Sequence, residues 1–295
     1  VDALPSMLGK TIAITGCSRG LGFVTAKTCA KKGAQVLMLN RDSPRAKEAL
    51  AEVSDVATGP PPEHVLCDLL DLESVRIAAK RIHARLDSGL DVLCLNAGIM
   101  CAKDTRSKDG FDITMATNLL SHFVLTRELL SLLEIAGSMR GEARIVSMSS
   151  GSGFGGETFN AKYYAPESGG SLGGDGPNEA YSRYHQSKLG QFLFTAELHK
   201  RLSKRGSRIK TLVCTPGVCA TDMFVDLRER VIHPGKKADR MSVPSVEDGV
   251  LAQLKCICSE KVLSGECWGP PFDKKAIAAL PEKFDNMPPL VNTDA

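Results

Sequence analysis

The sequence contains no apolar run near the ~18–20 residues needed to cross a bilayer, and no Cys-x-x-Cys pair. Its 37 basic and 34 acidic residues leave a formal charge of only +3, and no basic cluster. So weak and scattered a charge gives no footprint for nucleic acid. Ten cysteines in 295 residues are too dilute for a disulfide scaffold. Cys29, Cys67, Cys94, Cys256 and Cys258 lie in apolar runs, where cysteine serves as a small hydrophobe. The six histidines are scattered and none stands at ligand spacing from a cysteine, which argues against a structural zinc site. Reduced thiols, as in cytosol or an organelle stroma, are expected. Residues 1–10 do not read as a signal peptide. The first residue is Val1 rather than methionine, which leaves room for an upstream segment carrying an address. Aromatic residues make up 5%, with four tyrosines in all, so each tyrosine can be weighed singly. An apolar share of 43% and a charged share of 24% are those of a globular chain. They exclude a disordered, coiled-coil or collagen-like protein.

What is present is an alternation of strands and helices. Apolar strand-like runs are expected at 11–15, 35–40, 64–67, 92–96, 144–148 and 209–214. Helical patterns lie between them: from Gly20 to Lys32 with Gly33 as a stop, then 44–53, 74–86, 110–135 and 189–202. The strands are apolar throughout rather than alternating, as in a parallel sheet covered on both faces. Right-handed crossovers then give one α/β domain over 1–295, a doubly wound Rossmann sheet, mostly parallel and of seven strands. Glycine is in excess at 27 residues, and nine of these fall within 151–176. That glycine-rich insertion has neither helical nor strand period. A loop so long is either a mobile surface insertion or a functional lid.

Several short motifs fall where such a fold binds ligands. The first strand runs into Gly16-Cys17-Ser18-Arg19-Gly20-Leu21-Gly22. Glycines there allow a tight turn and bring backbone close to a pyrophosphate held at a helix N-terminus. Alone, this spacing also describes an ordinary strand–helix turn. Asn96-Ala97-Gly98 ends the fourth strand, and Ser149-Ser150 follows the fifth. Among the tyrosines, only Tyr184 has a lysine four residues on, Lys188, which places the two on one helical face. Taken alone, that spacing equally describes an amphipathic surface pair. A free tyrosine titrates near ~10, and a lysine cation one turn away is expected to favour the phenolate.

In this order, over nearly the whole chain, the motifs resemble the short-chain dehydrogenase/reductase superfamily. The run from Asn118 to Thr126, Tyr184 to Leu189, and Thr215-Pro216-Gly217-Val218 with Thr221 are similar to its retinol-dehydrogenase-like branch. The resemblance implies a nicotinamide oxidoreductase acting on an aldehyde or ketone and its alcohol. It implies Tyr184 as acid/base and Lys188 as its partner, which also holds the nicotinamide ribose. It gives Ser150 to the substrate oxygen and Asn118 to a proton-relay water. The implied cofactor residues are Gly16, Ser18, Arg19, Gly20, Leu21, Gly22, Asn40, Arg41, Asp68, Leu69, Asn96, Ala97, Gly98, Pro216, Gly217, Val218 and Thr221. Asp68 would meet the adenine, although a strand-end cap is the other reading. Leu39-Asn40-Arg41 lacks the carboxylate that would receive a ribose 2′-hydroxyl, and with Arg19 this favours NADP(H). Asp42 falls too late to compete.

Residues 222–243 correspond to the family's substrate lid. Met223, Phe224, Val225, Leu227, Val231 and Ile232 make it apolar, which suits a lipophilic substrate or plain packing on the core. Two alternatives stay open. Light-dependent protochlorophyllide oxidoreductase shares the tyrosine–lysine pair and an insertion before that helix, and Cys219 is similar to its cysteine, displaced by one position. Against it, Asn96-Ala97-Gly98 is the general form of the superfamily. The other alternative is a catalytically silent NADPH-binding sensor or scaffold. Monomer and homodimer both remain open, because the insertion adjoins the helix through which relatives pair.

Overall fold

The computed structural model describes residues 4–154, 158–227 and 243–270, with the backbone of 282–283. β1 (Thr11–Thr15) leads through the glycine turn into α1 (Gly20–Lys31), and β2 (Gln35–Asn40) into α2 (Pro44–Val56). β3 (Glu63–Leu66), α3 (Leu72–His83) and β4 (Val92–Leu95) complete the first half. The second half holds α4 (Ile113–Met115), α5 (Ser121–Arg140), β5 (Ala143–Met148), α6 (Pro177–Lys204) and β6 (Ile209–Cys214). α7 (Asp222–Leu227), α8 (Val246–Gly249), α9 (Leu251–Cys258), β7 (Cys267–Gly269) and β8 (Glu282–Lys283) follow.

The strands form one sheet in the order β3-β2-β1-β4-β5-β6-β7-β8. The first seven are parallel, and the two-residue β8 is an antiparallel addition beyond the expected seven. Adjacent positions on each strand feed opposite faces. Ile12 and Ile14 pack with Met38, Val146 and Leu254 beneath α1 and α9. Ala13 packs with Leu37, Leu93 and Ile145 beneath α3 and α5. Both faces are dry, so the strands read as unbroken apolar runs. Each fully buried Ile or Leu contributes ~1.5–3 kcal/mol.

Helix ends follow local chemistry. Gly33 takes φ +95° just past α1, and Ala34 N–H closes the end by donating to Cys29 O (3.1 Å). Ser43 receives Ala46 N–H at the start of α2, and Asp71 receives Glu73 and Ser74 N–H at the start of α3. The expected single helix at 110–135 is divided. Asp112 caps α4, a π turn spans Ala116–Leu120, and only then does α5 run on to a left-handed Gly141. The wide turn is closed by Ser121 N–H donating to Ala116 O, five residues back. A hydrophobic period does not register one such extra residue.

The 151–176 insertion is strapped to the body of the fold. Two 3₁₀ turns, Gly151–Phe154 and Ala161–Tyr164, lie within it, and Gly155 and Gly156 fall outside the described residues. Phe154 packs on Phe192 of α6 with ring centroids 4.4 Å apart. Gln186 of α6 donates to Thr158 O (2.9 Å) and accepts from Asn160 N–H (3.1 Å). Asp104 receives the N–H groups of Gly170, Leu172 and Gly174 at 2.8–2.9 Å. Arg183, wholly buried beside Asp112 (3.5 Å), donates to Gly174 O and Ala102 O (both 2.8 Å). Three amide bonds to one carboxylate make a strong local clamp. Asp104→Ala should therefore raise the rate of limited proteolysis within 158–176 about tenfold, while the thermal midpoint stays nearly constant. Equal cleavage rates would show that the strap is held elsewhere.

Candidate active site

The strand order reverses between β1 and β4, and the turns leaving these two strands line the cleft where ligands of open parallel sheets bind. Gly16 takes φ +71°, and a Cβ there would meet Ala97 Cβ at 2.9 Å. At Gly22 a Cβ would lie 2.2 Å from Gly16 O and 2.4 Å from Asn96 Nδ2. The two turns thus touch backbone to backbone, which only glycine allows at these positions. Asn96 donates to Thr15 O (2.9 Å) and Gly16 O (3.4 Å), while Gln253 of α9 donates to its Oδ1 (3.2 Å). α1 begins at Gly20 with no side-chain cap on its N-terminus and no acidic residue in its first turn. An uncapped helix start of this kind fits a cofactor pyrophosphate.

Thr15 ties the cleft together. Its hydroxyl oxygen accepts from the N–H groups of Asn96 and Ala97, both at 3.0 Å. With two bonds accepted, its one hydrogen is left for His122 Nε2 at 2.9 Å. That nitrogen is therefore an acceptor, so Nδ1 carries the hydrogen and donates to Asn118 O at 3.1 Å. Burial, with help from Lys188, pushes the His122 pKa down to about 3, so the ring is neutral across the physiological range. Asn118, wholly buried in the π turn, accepts from Ile99 N–H (2.8 Å) and donates to Ile99 O (2.9 Å) and Ser187 Oγ (2.8 Å).

Tyr184 and Lys188 lie on the inner face of α6, both buried, with Nζ 5.6 Å from the tyrosine ring centroid. Ser150 lies beside Tyr184 and holds its phenol pKa down against burial. The neighbouring serines are occupied elsewhere: Ser149 donates to Lys188 O (3.1 Å), and the Ser147 hydroxyl is hydrogen-bonded to Thr195 Oγ1 (3.0 Å). Lys188 donates to Met148 O and Gln191 Oε1, both at 2.9 Å. The expectation that lysine would lower the tyrosine pKa is not met. Burial raises Tyr184 to about 12, with Ser150 opposing, and burial lowers Lys188 to about 7. Taking both groups out of water outweighs their mutual influence.

The other cofactor candidates separate into two groups. Asn40 is buried and accepts from Cys17 N–H (2.7 Å), which shapes the turn. Asp68 accepts from Leu70 N–H (3.0 Å), the strand-end cap of the second reading, and Leu69 O receives Ser121 Oγ (2.5 Å). Arg41 is exposed, and the nearby carboxylate of Asp42 pairs with Lys47 (3.5 Å). Arg19, beside the glycine turn, pairs with Asp222 of α7 at 3.4 Å, both exposed. Gly217 takes φ +64° against Pro270, and Val218 is exposed. Thr221 Cγ2 lies 3.9 Å from the Cβ position of Gly20, and its Oγ1 caps Phe224 N–H (3.3 Å). Ser18 and Leu21 are half-buried on the turn and the first turn of α1. Cys219 is buried, its Sγ 2.7 Å from the Cβ position of Gly249, and burial raises its thiol to about 11. Of the proposed lid, Met223, Phe224 and Val225 are half-buried on α7, while Val231 and Ile232 lie outside the described residues.

Five residues of the site went unread from sequence, beginning with Thr15, which the sequence shows only as the end of a strand. His122 stood inside a quoted run, but no spacing rule pairs it with Thr15. Gln191, Gln253 and Arg183 carry no motif, and only tertiary contact reveals them.

Residues 10–169 match the family model for short chain dehydrogenase. The human polyprenol dehydrogenase is 30% identical over 220 residues, covering 75% of this chain and 64% of that protein. Mouse retinol dehydrogenase 14 is 34% identical over 232 residues, covering 74% and 63%. The chain thus spans less than two thirds of these relatives. A crystal structure of an uncharacterized Mycobacterium paratuberculosis protein superposes with a TM-score of 0.73 at 29% identity, covering 97% of this chain and 88% of that one. A short chain dehydrogenase of Escherichia coli CFT073, solved with NADPH, has the same fold at a TM-score of 0.68 and 22% identity, covering 91% and 98%. Among the described residues, no helix is long and apolar enough to cross a membrane.

His122 gives a pH test of this site. The unfolded chain takes up the imidazole proton below about 6.5 and the folded chain only near 3, so its contribution to stability falls as pH drops through that window. The slope is at most ~1.4 kcal/mol per pH unit. Denaturant unfolding of His122→Gln should show a shallower acid limb than the parent. Parallel limbs would mean that the imidazole is not buried neutral.

Proposed function

The chain belongs to the short-chain dehydrogenase family, and on that premise we propose that it interconverts a lipophilic aldehyde or ketone and its alcohol, with NADP(H) as the hydride carrier. The observation that carries this reading is the buried Tyr184 with Lys188 one turn along α6, its Nζ 5.6 Å from the tyrosine ring, and Ser150 beside the phenol. A bound nicotinamide supplies or accepts the hydride.

The chain's own groups account for the proton. Tyr184 keeps its hydrogen through neutrality and so suits donation to a carbonyl oxygen, the reductive direction. Ser150 Oγ, which accepts from Ser152 N–H at 3.3 Å, keeps a hydrogen with which to share that oxygen. Lys188 would hold the nicotinamide ribose, and Asn118 braces the loop at Ile99 that follows Gly98. The uncapped start of α1 would receive the pyrophosphate.

NADP(H) is favoured because, among the described residues at the end of β2, Asn40 stands where a carboxylate would take the ribose 2′-hydroxyl and Asp42 pairs with Lys47. Arg41, exposed at the end of β2, would meet a 2′-phosphate, and Arg19 would join it by leaving a weak solvent-screened pair. Substrate lipophilicity draws on the half-exposed Tyr181 and Val218 at the rim and on the apolar face of α7. Two of the relatives are named for the alcohols polyprenol and retinol.

Tyr184→Phe should leave NADPH binding within about twofold while lowering carbonyl reduction by at least ~100-fold. Reduction at the parent rate would refute the assignment, and a parent protein that binds NADPH but reduces no carbonyl would point to a sensor. Arg41→Ala should narrow the ratio of NADH to NADPH dissociation constants about tenfold. An unchanged ratio would remove the arginine from cofactor choice.

A further inference from the structure

An ammonium has three N–H donors, and the fold engages two of those on Lys188. One goes to the Met148 carbonyl at the end of β5 and the other to Oε1 of Gln191, three residues along α6, both at 2.9 Å. Gln191 is 2% exposed. Beside an ammonium, which only donates, its amide must present oxygen. That orientation leaves Gln191 Nε2 buried with no acceptor among the described residues. A buried amide donor left without an acceptor is unfavourable, and an apolar side chain of the same size would avoid it. The glutamine therefore serves the lysine at the expense of its own hydrogen-bond balance. Its backbone carbonyl accepts from Thr195 Oγ1 (2.8 Å), a bond that any residue would keep.

We propose that Gln191 is a positioning residue for hydride transfer: with the Met148 carbonyl it takes up two N–H groups of Lys188, so that the third is left for the nicotinamide ribose. This rests on the reading that Lys188 serves a bound nicotinamide cofactor. A Cβ at Gly98 would lie 3.5 Å from Nζ, which sets the ammonium on the floor of the cleft. The titratable groups facing it are Tyr184 on its own helix, Cys214 from β6 and His122 from α5. Burial draws Lys188 down to about 7, with Cys214 opposing. An oxygen that accepts from Nζ, as Gln191 Oε1 does, favours the charged form.

The test uses the whole chain and two substitutions. Gln191→Leu removes the acceptor at similar volume, and Gln191→Glu places a full negative charge beside Nζ. The Lys188 midpoint is followed by its ¹³Cε shift, assigned with Lys188→Arg, and NADPH binding by fluorescence titration. In the leucine variant the midpoint should fall by about one pH unit, with NADPH binding about tenfold weaker near neutral pH and the thermal midpoint unchanged. In the glutamate variant the midpoint should rise by about one unit. A leucine variant that keeps both the lysine midpoint and NADPH binding within twofold would overturn the proposal, as would shifts of one sign in both variants. If the leucine variant does not fold, the direction of the shift in the glutamate variant decides. Shifts of opposite sign in a protein that reduces no carbonyl would uphold the positioning role and refute the proposed reaction.

Discussion

The Thr15 hydroxyl is the point on which this cleft depends. It receives the N–H groups of Asn96 and Ala97 at the end of β4 and gives its one hydrogen to His122. Through the other ring nitrogen that hydrogen sets the imidazole tautomer, and the imidazole in turn holds the Asn118 carbonyl in the π turn. Asn118 then reaches Ile99 and, through Ser187, the helix that carries Tyr184 and Lys188. Two strand ends, the π turn before α5 and α6 are thereby joined through one chain of buried polar groups. Such a chain is favourable only when fully satisfied, because each unpaired member in a dry interior costs ~1–3 kcal/mol.

The same dryness sets the chemistry. Burial raises the tyrosine and lowers the lysine, so near neutrality the phenol keeps its proton while the lysine stands between ammonium and amine. One buried charge pair lies nearby, Asp112–Arg183, and Arg183 also ties the 151–176 insertion to the loop after β4. The insertion lies against α6, next to the proposed chemistry, and Asp104 and Gln186 hold it there by backbone hydrogen bonds.

Much of the fold was legible because a doubly wound sheet writes itself locally. The runs at 11–15, 35–40 and 209–214 coincide with β1, β2 and β6, since strands buried on both faces must be apolar throughout. Gly16, Gly22 and Asn96 were legible because close backbone contact restricts residue choice strongly. The π turn was not, because it keeps the apolar period on either side and differs only in one hydrogen-bond step. Arg183, Gln191 and Gln253 were not, because a polar residue in a helix reads the same whether it faces water or a buried partner.

The sequence alone determined the parallel sheet, the glycine contacts at the cofactor turn and the spacing that sets Tyr184 and Lys188 on one helical face. These follow from backbone sterics and helical period, which are properties of neighbours along the chain. Tertiary structure decided which serine meets the tyrosine, that Asn40 shapes the turn, and in which direction both pKa values move. Those depend on desolvation and on partners dozens of residues away, such as Ser150 with Tyr184 and Asn40 with Cys17. Local pattern cannot carry that information, because burial is a property of the assembled fold.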